Sequence, residues 1–369
     1  MSDRPMVVLV CNEESRDAVL HEAALTRLAE FAQFRWEAAD RPTSREEWML
    51  GTFSPPEPEP DADALLVDAL EGANAIIVNQ GSPLISGPMM DALPGLRFLG
   101  ELEGDRFPIR IDVEAAWERG IRTVDTTNGS SYGVSEWALA MTLIGLRNAG
   151  SLFRRMIIDK QEDFHSEYEG DTGFRLGELS GKRVGMIGCG IIGRRFLELL
   201  EPFDCEVLVH DPYVPRELAD IYDVTFTSLD QVLSGSDVVV CLAPITPATR
   251  GMLGAREFGL MQDEAVFVNV SRGAIVQTDA LIDKLNEGNL IACLDVFDPE
   301  PVPADSPIRD MPNVFLTPHI AGVNSRGGHR FLSLMVDELE RFFAGHETRY
   351  DLLPRTIANR TGAEPPKRQ

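Results

Sequence analysis

The chain has 369 residues, 59 acidic against 34 basic, and a formal charge of −25. A surface that negative repels phosphate backbones, which disfavours nucleic-acid partners, and no apolar run approaches the roughly 18 residues that a membrane span needs. At 44% hydrophobic and 25% charged, the composition is that of a soluble globular chain with room for two domains.

Taken in order, residues 7–10 (VVLV) read as a buried strand. Their apolar run is too short for a signal peptide, which leaves the cytoplasm as the expected compartment. Val19, Ala23, Leu28 and Phe31 give residues 17–33 a helical period. Residues 51–60, GTFSPPEPEP, are rich in proline and acid and predict a surface loop. Strands are predicted over 75–78, ended by Gly81-Ser82-Pro83, and over 96–99. Asp112 is placed to cap a helix running to about Arg119, with Gly120 as its stop, and 121–124 follow as a strand. Together these make a small α/β unit with a parallel sheet. Residues 134–146 predict a long apolar helix, and the acidic stretch 160–177 an exposed loop or arm.

The second half is organised around residues 182–212. An apolar run, 184–187, enters Gly188-Cys189-Gly190-Ile191-Ile192-Gly193; a helical pattern follows, then a strand over 206–210 that ends on Asp211. Gly188 allows the tight turn, Gly190 lets a pyrophosphate approach the backbone, and Gly193 lets the helix pack on the sheet. Free N–H groups at the helix start favour an anion. Asp211, 18 residues past Gly193, can accept hydrogen bonds from ribose hydroxyls and would repel a 2′-phosphate, which favours NAD over NADP. A glycine-rich turn in another kind of doubly wound domain is the alternative. Further strands over 237–242, 265–270, 290–296 and 314–317, with helices near Leu229 and over 279–287, complete a doubly wound sheet of six or seven strands. A helix from about Arg330 to Phe343 and a polar tail, TGAEPPKRQ, close the chain. Five cysteines lack metal-type spacing and read as small buried hydrophobes in a reducing compartment; no metal site is expected.

Three chemically capable residues follow the nucleotide turn, each near a strand end: Arg272, Glu300 and His319. Strand C-termini line the ligand crevice of an open parallel sheet, so a cation, a carboxylate and an imidazole can converge there. Arg272 can hold a carboxylate and polarise an adjacent ketone through its planar fork. His319 can donate a proton as a hydride arrives, or remove one in reverse, with Glu300 fixing its orientation. Taken singly, each also has a plain reading: a turn arginine, a loop glutamate, a structural histidine.

Together they resemble one family. The turn at 188–193, Asp211-Pro212, APITPATRG (243–251), NVSRGAIV (269–276), LDVFDPEP (294–301) and NVFLTPHIAG (313–322) are similar to NAD-dependent D-isomer specific 2-hydroxyacid dehydrogenases, over roughly residues 75–345. The resemblance implies two α/β domains, a doubly wound Rossmann NAD-binding domain inserted in a flavodoxin-like substrate domain. Residues 1–133 would be the substrate domain and 134–322 the NAD-binding domain, with 323–369 returning as a C-terminal helix plus tail. It implies Arg272, Glu300 and His319 as the catalytic set. Cofactor contacts would come from Gly188, Gly190, Ile191, Ile192, Gly193, Asp211, Ala243, Pro244, Val270, Ser271, Arg272, Asp295, His319 and Gly322, with Asp295 on the carboxamide. It further implies a small 2-oxo or 2-hydroxy acid as substrate, bound in a cleft between the domains, and a homodimer through the NAD-binding domain.

The substrate half departs from the family pattern. Gly100-Glu101-Leu102-Glu103-Gly104-Asp105-Arg106 places acids where the family carries a glycine-rich loop for the substrate carboxylate. Those acids would oppose an anion unless they point away or Arg106 or Arg110 compensates. The turn Asp125-Thr126-Thr127-Asn128-Gly129 is altered as well. Two other readings stand beside the leading one: a non-catalytic NADH-responsive binding protein of the corepressor kind, and a dehydrogenase of formate or phosphite. Glu300 disfavours formate, because formate enzymes resembling this family carry glutamine there.

Overall fold

The computed structural model describes residues 4–41, 60–103, 107–160, 177–215, 217–323 and 327–361. Apart from end residues, the loop expected over 51–60, the arm over 160–177 and the polar tail lie outside them, as does Arg106. The chain divides into two compact units, one from Met1–Ser130 with Asn324–Ala358, the other from Ser131–Val323.

The first unit carries five parallel strands: β1 Met6–Cys11, β2 Gln33–Ala38, β3 Ala75–Val78, β4 Phe98–Glu101 and β5 Arg122–Asp125, in the order β2-β1-β3-β4-β5. That order is the flavodoxin-like one. Strands β1, β3 and β4 are buried on both faces, which is why β1 and β3 read as unbroken apolar runs. Alternate residues serve opposite faces. Val8, Val10, Ile76 and Val78 join one cluster, while Val7, Leu9 and Ile77 meet Leu332, Met335, Val336 and Leu339 of the helix Gly327–Phe343. The chain thus returns to roof its own first sheet.

Two expectations change here. The period over 17–33 belongs to two helices, Glu13–Val19 and Glu22–Phe31, parted by extended Leu20 and His21. Both bury apolar residues, Val19 and Leu28, in the same cluster, so the period runs through the break. His21 at the break stacks on His329 at 4.5 Å. The strand expected over 96–99 forms two residues later. Strand β2 gave no signal because its residues are only partly buried.

Glu101 points inward: it is fully buried and ion-paired with buried Arg110, so Arg110 supplies the compensation. The altered turn forms a 3-10 helix, Thr127–Ser130, opened by Asp125 accepting from Thr127 N at 2.6 Å.

Glu338, on the roofing helix, is buried and accepts from Arg349 N at 2.6 Å and Tyr350 N at 3.2 Å. Burial pushes its carboxyl above the ordinary glutamate range, against the two N–H groups that pull it down. The folded state therefore binds this proton more tightly than the unfolded chain. Its contribution to stability is full below the ordinary glutamate range and is lost as pH rises through the raised native value. Glu338→Gln keeps an acceptor for both N–H groups and should gain thermal stability over the parent as pH rises from acid to neutral. A melting-temperature series across that range showing a constant offset would exclude this account.

The second unit has seven parallel strands: β6 Arg183–Ile187, β7 Glu206–His210, β8 Thr225–Phe226, β9 Val238–Cys241, β10 Val266–Asn269, β11 Ile291–Leu294 and β12 Val314–Leu316. Their order, β12-β11-β10-β9-β6-β7-β8, is the doubly wound nucleotide-binding order with one strand added. The order reverses between β6 and β9, where such sheets bind ligands. The helix Ser131–Leu146 covers one face, with Val134, Ala138 and Met141 against Val184, Val240 and Val268.

Candidate active site

Strand β6 ends in the glycine turn. Gly188 has φ +94, and a Cβ there would come within 2.7 Å of Ala243 N, a backbone atom at the end of β9. The helix Ile191–Leu200 starts immediately after Gly190. A Cβ on Gly190 would meet no protein atom within 4 Å, so no neighbour in the chain demands glycine; the open approach suits a ligand that comes to the backbone. At Gly193 a Cβ would lie 3.0 Å from Gly188 O and 3.2 Å from Met186 Cε, so this glycine serves helix packing. Free N–H groups of a helix start, with Ile191 and Ile192 leading it, offer a pyrophosphate its cradle. Cys189 is buried, and burial together with the Asp211 carboxylate pushes its thiol up to about 12, so it stays protonated and inert.

Asp211 directly follows β7. Its carboxylate accepts from Cys189 N at 2.8 Å, Tyr213 N at 2.8 Å and Val214 N at 3.2 Å. It therefore ties the glycine turn to the next loop, a role its position after a strand did not announce. A carboxylate has about four acceptor directions, so capacity for a hydroxyl donor remains.

Loops after β9 and β10 are fastened to each other. Ser271 Oγ donates to Ala243 O across the two, while Thr249 Oγ1 donates to Pro244 O at 2.7 Å within the first. Asn269, buried at the end of β10, accepts from Ser271 N at 3.0 Å and donates to Arg272 O at 3.1 Å. The sequence reading missed Asn269; an asparagine closing a strand before a turn was its signal. Val270 is buried, and the Arg272 guanidinium donates to Ser271 O at 2.8 Å.

Glu300 follows β11 and His319 follows β12, and the structure joins them: Glu300 Oε1 lies 2.7 Å from His319 Nδ1. With Nδ1–H donated to the carboxylate, Nε2 is the ring nitrogen that can exchange a proton with a substrate. His319 has φ +55, a left-handed conformation that a non-glycine residue adopts at a cost. Asp295, at the end of β11, is fully buried. Its carboxylate accepts from Thr317 Oγ1 at 2.5 Å, Ile320 N at 2.9 Å and Ala321 N at 2.9 Å. Where the family resemblance assigned Asp295 to a carboxamide, its visible partners are the loop that carries His319. Gly322 closes that loop; a Cβ there would lie 3.7 Å from Val134 Cγ2.

Arg272, Glu300 and His319 thus stand on the loops after three adjacent strands, β10, β11 and β12. Asp211 stands across the reversal point, three strand spacings from β10, roughly 14 Å along the sheet edge. A ligand serving both ends must be elongated, as a dinucleotide is.

Residues 140–321 match the family model described as D-isomer specific 2-hydroxyacid dehydrogenase, NAD binding domain. The chain is 34% identical over 260 residues to a putative 2-hydroxyacid dehydrogenase, YoaD, of Bacillus subtilis (strain 168), covering 70% of this chain and 73% of that one. It is 33% identical over 241 residues to a mitochondrial formate dehydrogenase of Solanum tuberosum, covering 64% of this chain and 61% of that relative. A phosphoglycerate oxidoreductase from Rhizobium etli has the same fold, with a TM-score of 0.77 at 24% identity over 94% of this chain and 98% of that one. On the sheet order, the glycine turn and these matches, the chain belongs to the D-isomer specific 2-hydroxyacid dehydrogenases, a family of NAD-dependent oxidoreductases, and carries their NAD-binding domain.

Proposed function

We propose that the protein interconverts a 2-oxo acid and a 2-hydroxy acid, with His319 as general acid and base and Arg272 as the group that binds and polarises the substrate. The observation that carries this reading is the 2.7 Å contact between Glu300 and His319 on the ligand-binding edge of a doubly wound sheet. The glycine turn 188–193 and Asp211 would hold NAD(H), which would supply the hydride that C2 of the oxo acid gains, or take it up in reverse. His319 holds a proton at Nε2 and gives it to the carbonyl oxygen as that oxygen gains charge; in the oxidative direction Nε2 takes the hydroxyl proton. Glu300 keeps Nδ1 protonated and the ring oriented. The Arg272 fork binds the substrate carboxylate and draws charge toward the adjacent carbonyl oxygen. Residues 1–133 would form the substrate domain, and Glu101, paired inward with Arg110, adds no charge against an anionic substrate there. Purified protein should oxidise NADH with at least one member of a panel of 2-oxo acids. Tight NADH binding without turnover on any of them would favour a cofactor-responsive binding protein instead.

Asp211 is the residue expected to discriminate against NADP. Asp211→Ala should raise the relative efficiency with NADPH about tenfold or more, since removing an adjacent like charge is of that order. It should also lower the melting temperature, because three backbone N–H groups lose their acceptor. An unchanged NADH-to-NADPH ratio would remove it from cofactor choice.

We also infer a homodimer through the NAD-binding domain. On the helix Ala149–Ile157 and just after it, Phe153, Met156, Ile157 and Ile158 are each 60% or more exposed, an apolar patch of the kind that marks an interface. Phe153→Glu with Ile157→Glu should shift the species seen by light scattering from dimer to monomer. A monomeric parent would exclude the inference. The five cysteines, four of them buried and all unpaired, agree with a reducing compartment such as the cytoplasm.

A further inference from the structure

Two separate devices act on His319. Glu300 fixes its ring, as described. Its backbone is fixed by a different set of contacts that run through buried Asp295 to the helix Ser131–Leu146. Trp137, on that helix, donates from Nε1 to Thr317 Oγ1 at 3.3 Å. Thr317 Oγ1 passes its own hydrogen to Asp295 Oδ1 at 2.5 Å. Asp295 also accepts Ile320 N on Oδ1 and Ala321 N on Oδ2, each at 2.9 Å, while its carbonyl accepts His319 N at 2.9 Å. Residues on both sides of His319 are therefore held to one immobile carboxylate.

This arrangement answers a physical problem. His319 has φ +55, a region that disfavours any residue with a Cβ. Left to itself the loop would relax to negative φ and swing the imidazole away from Glu300. The hydrogen bonds on either side of it oppose that relaxation. We propose that Trp137 and Thr317 are positioning residues for the reaction: through Asp295 they hold His319 in its left-handed conformation, so that its ring meets Glu300. The inference rests on the acid–base role given to His319 above, and neither Trp137 nor Thr317 touches the reacting atoms in it.

Thr317 gives a clean test, because valine has nearly its shape and lacks the hydroxyl, while serine restores it. Thr317→Val should lower kcat by about ten- to a hundredfold, the scale of a catalytic group displaced by about an ångström. Fluorescence-measured NADH affinity should stay within about threefold and the fold should remain intact. Thr317→Ser should recover most of kcat, and Trp137→Phe, which keeps an aromatic side chain but loses the indole N–H, should fall between. In a His319→Ala background, Thr317→Val should cost nothing further in kcat, since the group it positions is gone. Full turnover by Thr317→Val beside an inactive His319→Ala would overturn this inference alone. An equal loss in both backgrounds would do the same, because the hydroxyl would then act elsewhere. Near-normal turnover by His319→Ala would overturn the acid–base reading, and this one with it.

Discussion

Replacing His319 by alanine is expected to lower turnover by about two to four orders of magnitude, the usual scale for a general acid or base. NADH should still bind. The imidazole sits on the loop after β12, whereas the glycine turn and Asp211, proposed to hold the other half of an elongated ligand, follow β6 and β7 across the reversal point of the sheet. Removing the ring leaves the Glu300 carboxylate without its 2.7 Å partner and removes the only titratable side chain on the 317–321 loop. No other residue of that loop can hold a proton for the carbonyl oxygen. Glu300→Gln should give a smaller loss, because an amide can still accept from Nδ1–H but carries no charge. Steady-state rates and NADH fluorescence titration on the two variants check this, and a His319→Ala enzyme with near-parental kcat would end the histidine's role.

Gly273→Ala should damage both stability and turnover. A Cβ on Gly273 would fall 1.8 Å from the carbonyl carbon of Phe297 and 1.9 Å from its oxygen. These are backbone atoms and cannot swing aside as the tip of a side chain can. The loop after β10 carries Arg272 and the loop after β11 carries Glu300, so the methyl group would push apart the two loops that carry these candidate catalytic residues. Overpacking of this kind costs about 1–3 kcal/mol or more, and a displacement of roughly an ångström at the site costs about a hundredfold in rate. Gly259→Ala is the matched control. It lies in the helix Ala255–Leu260, its Cβ would meet nothing within 4 Å, and alanine should stabilise that helix by up to about 1 kcal/mol. Urea unfolding and activity on both variants decide the matter. A Gly273→Ala protein as stable and active as the control would mean that the two loops are not packed as described.

Much of this protein is legible without coordinates, for a reason that applies element by element. Strands buried on both faces, such as Ala75–Val78 and Val238–Cys241, must be apolar throughout, so they announce themselves. Glycines that permit close approach cannot be replaced by anything else, so the turn at 188–193 is legible too. Two of the four edge strands, β2 and β8, escape this logic. Gln33–Ala38 is partly exposed and Thr225–Phe226 has two residues, so neither leaves a pattern. The break at Leu20–His21 was hidden because two helices that pack on one neighbour share a single period.

The amino-acid sequence by itself determined the α/β class and the nucleotide turn, because periodicity and obligatory glycines report burial and backbone shape directly; the three candidate catalytic groups came instead from the family resemblance of the motifs that carry them. Only the tertiary structure decided which way the polar side chains turn. It set Glu101 against Arg110 inside the first unit, and it gave Asp295 to the Thr317 hydroxyl before His319 and to two backbone N–H groups after it. An acid at a strand end is chemically the same letter whether it meets a substrate, a cofactor or a neighbouring loop. What distinguishes these cases is the set of donors that folding brings within 3 Å, and for Asp295 those donors lie 22 to 26 residues away in the chain.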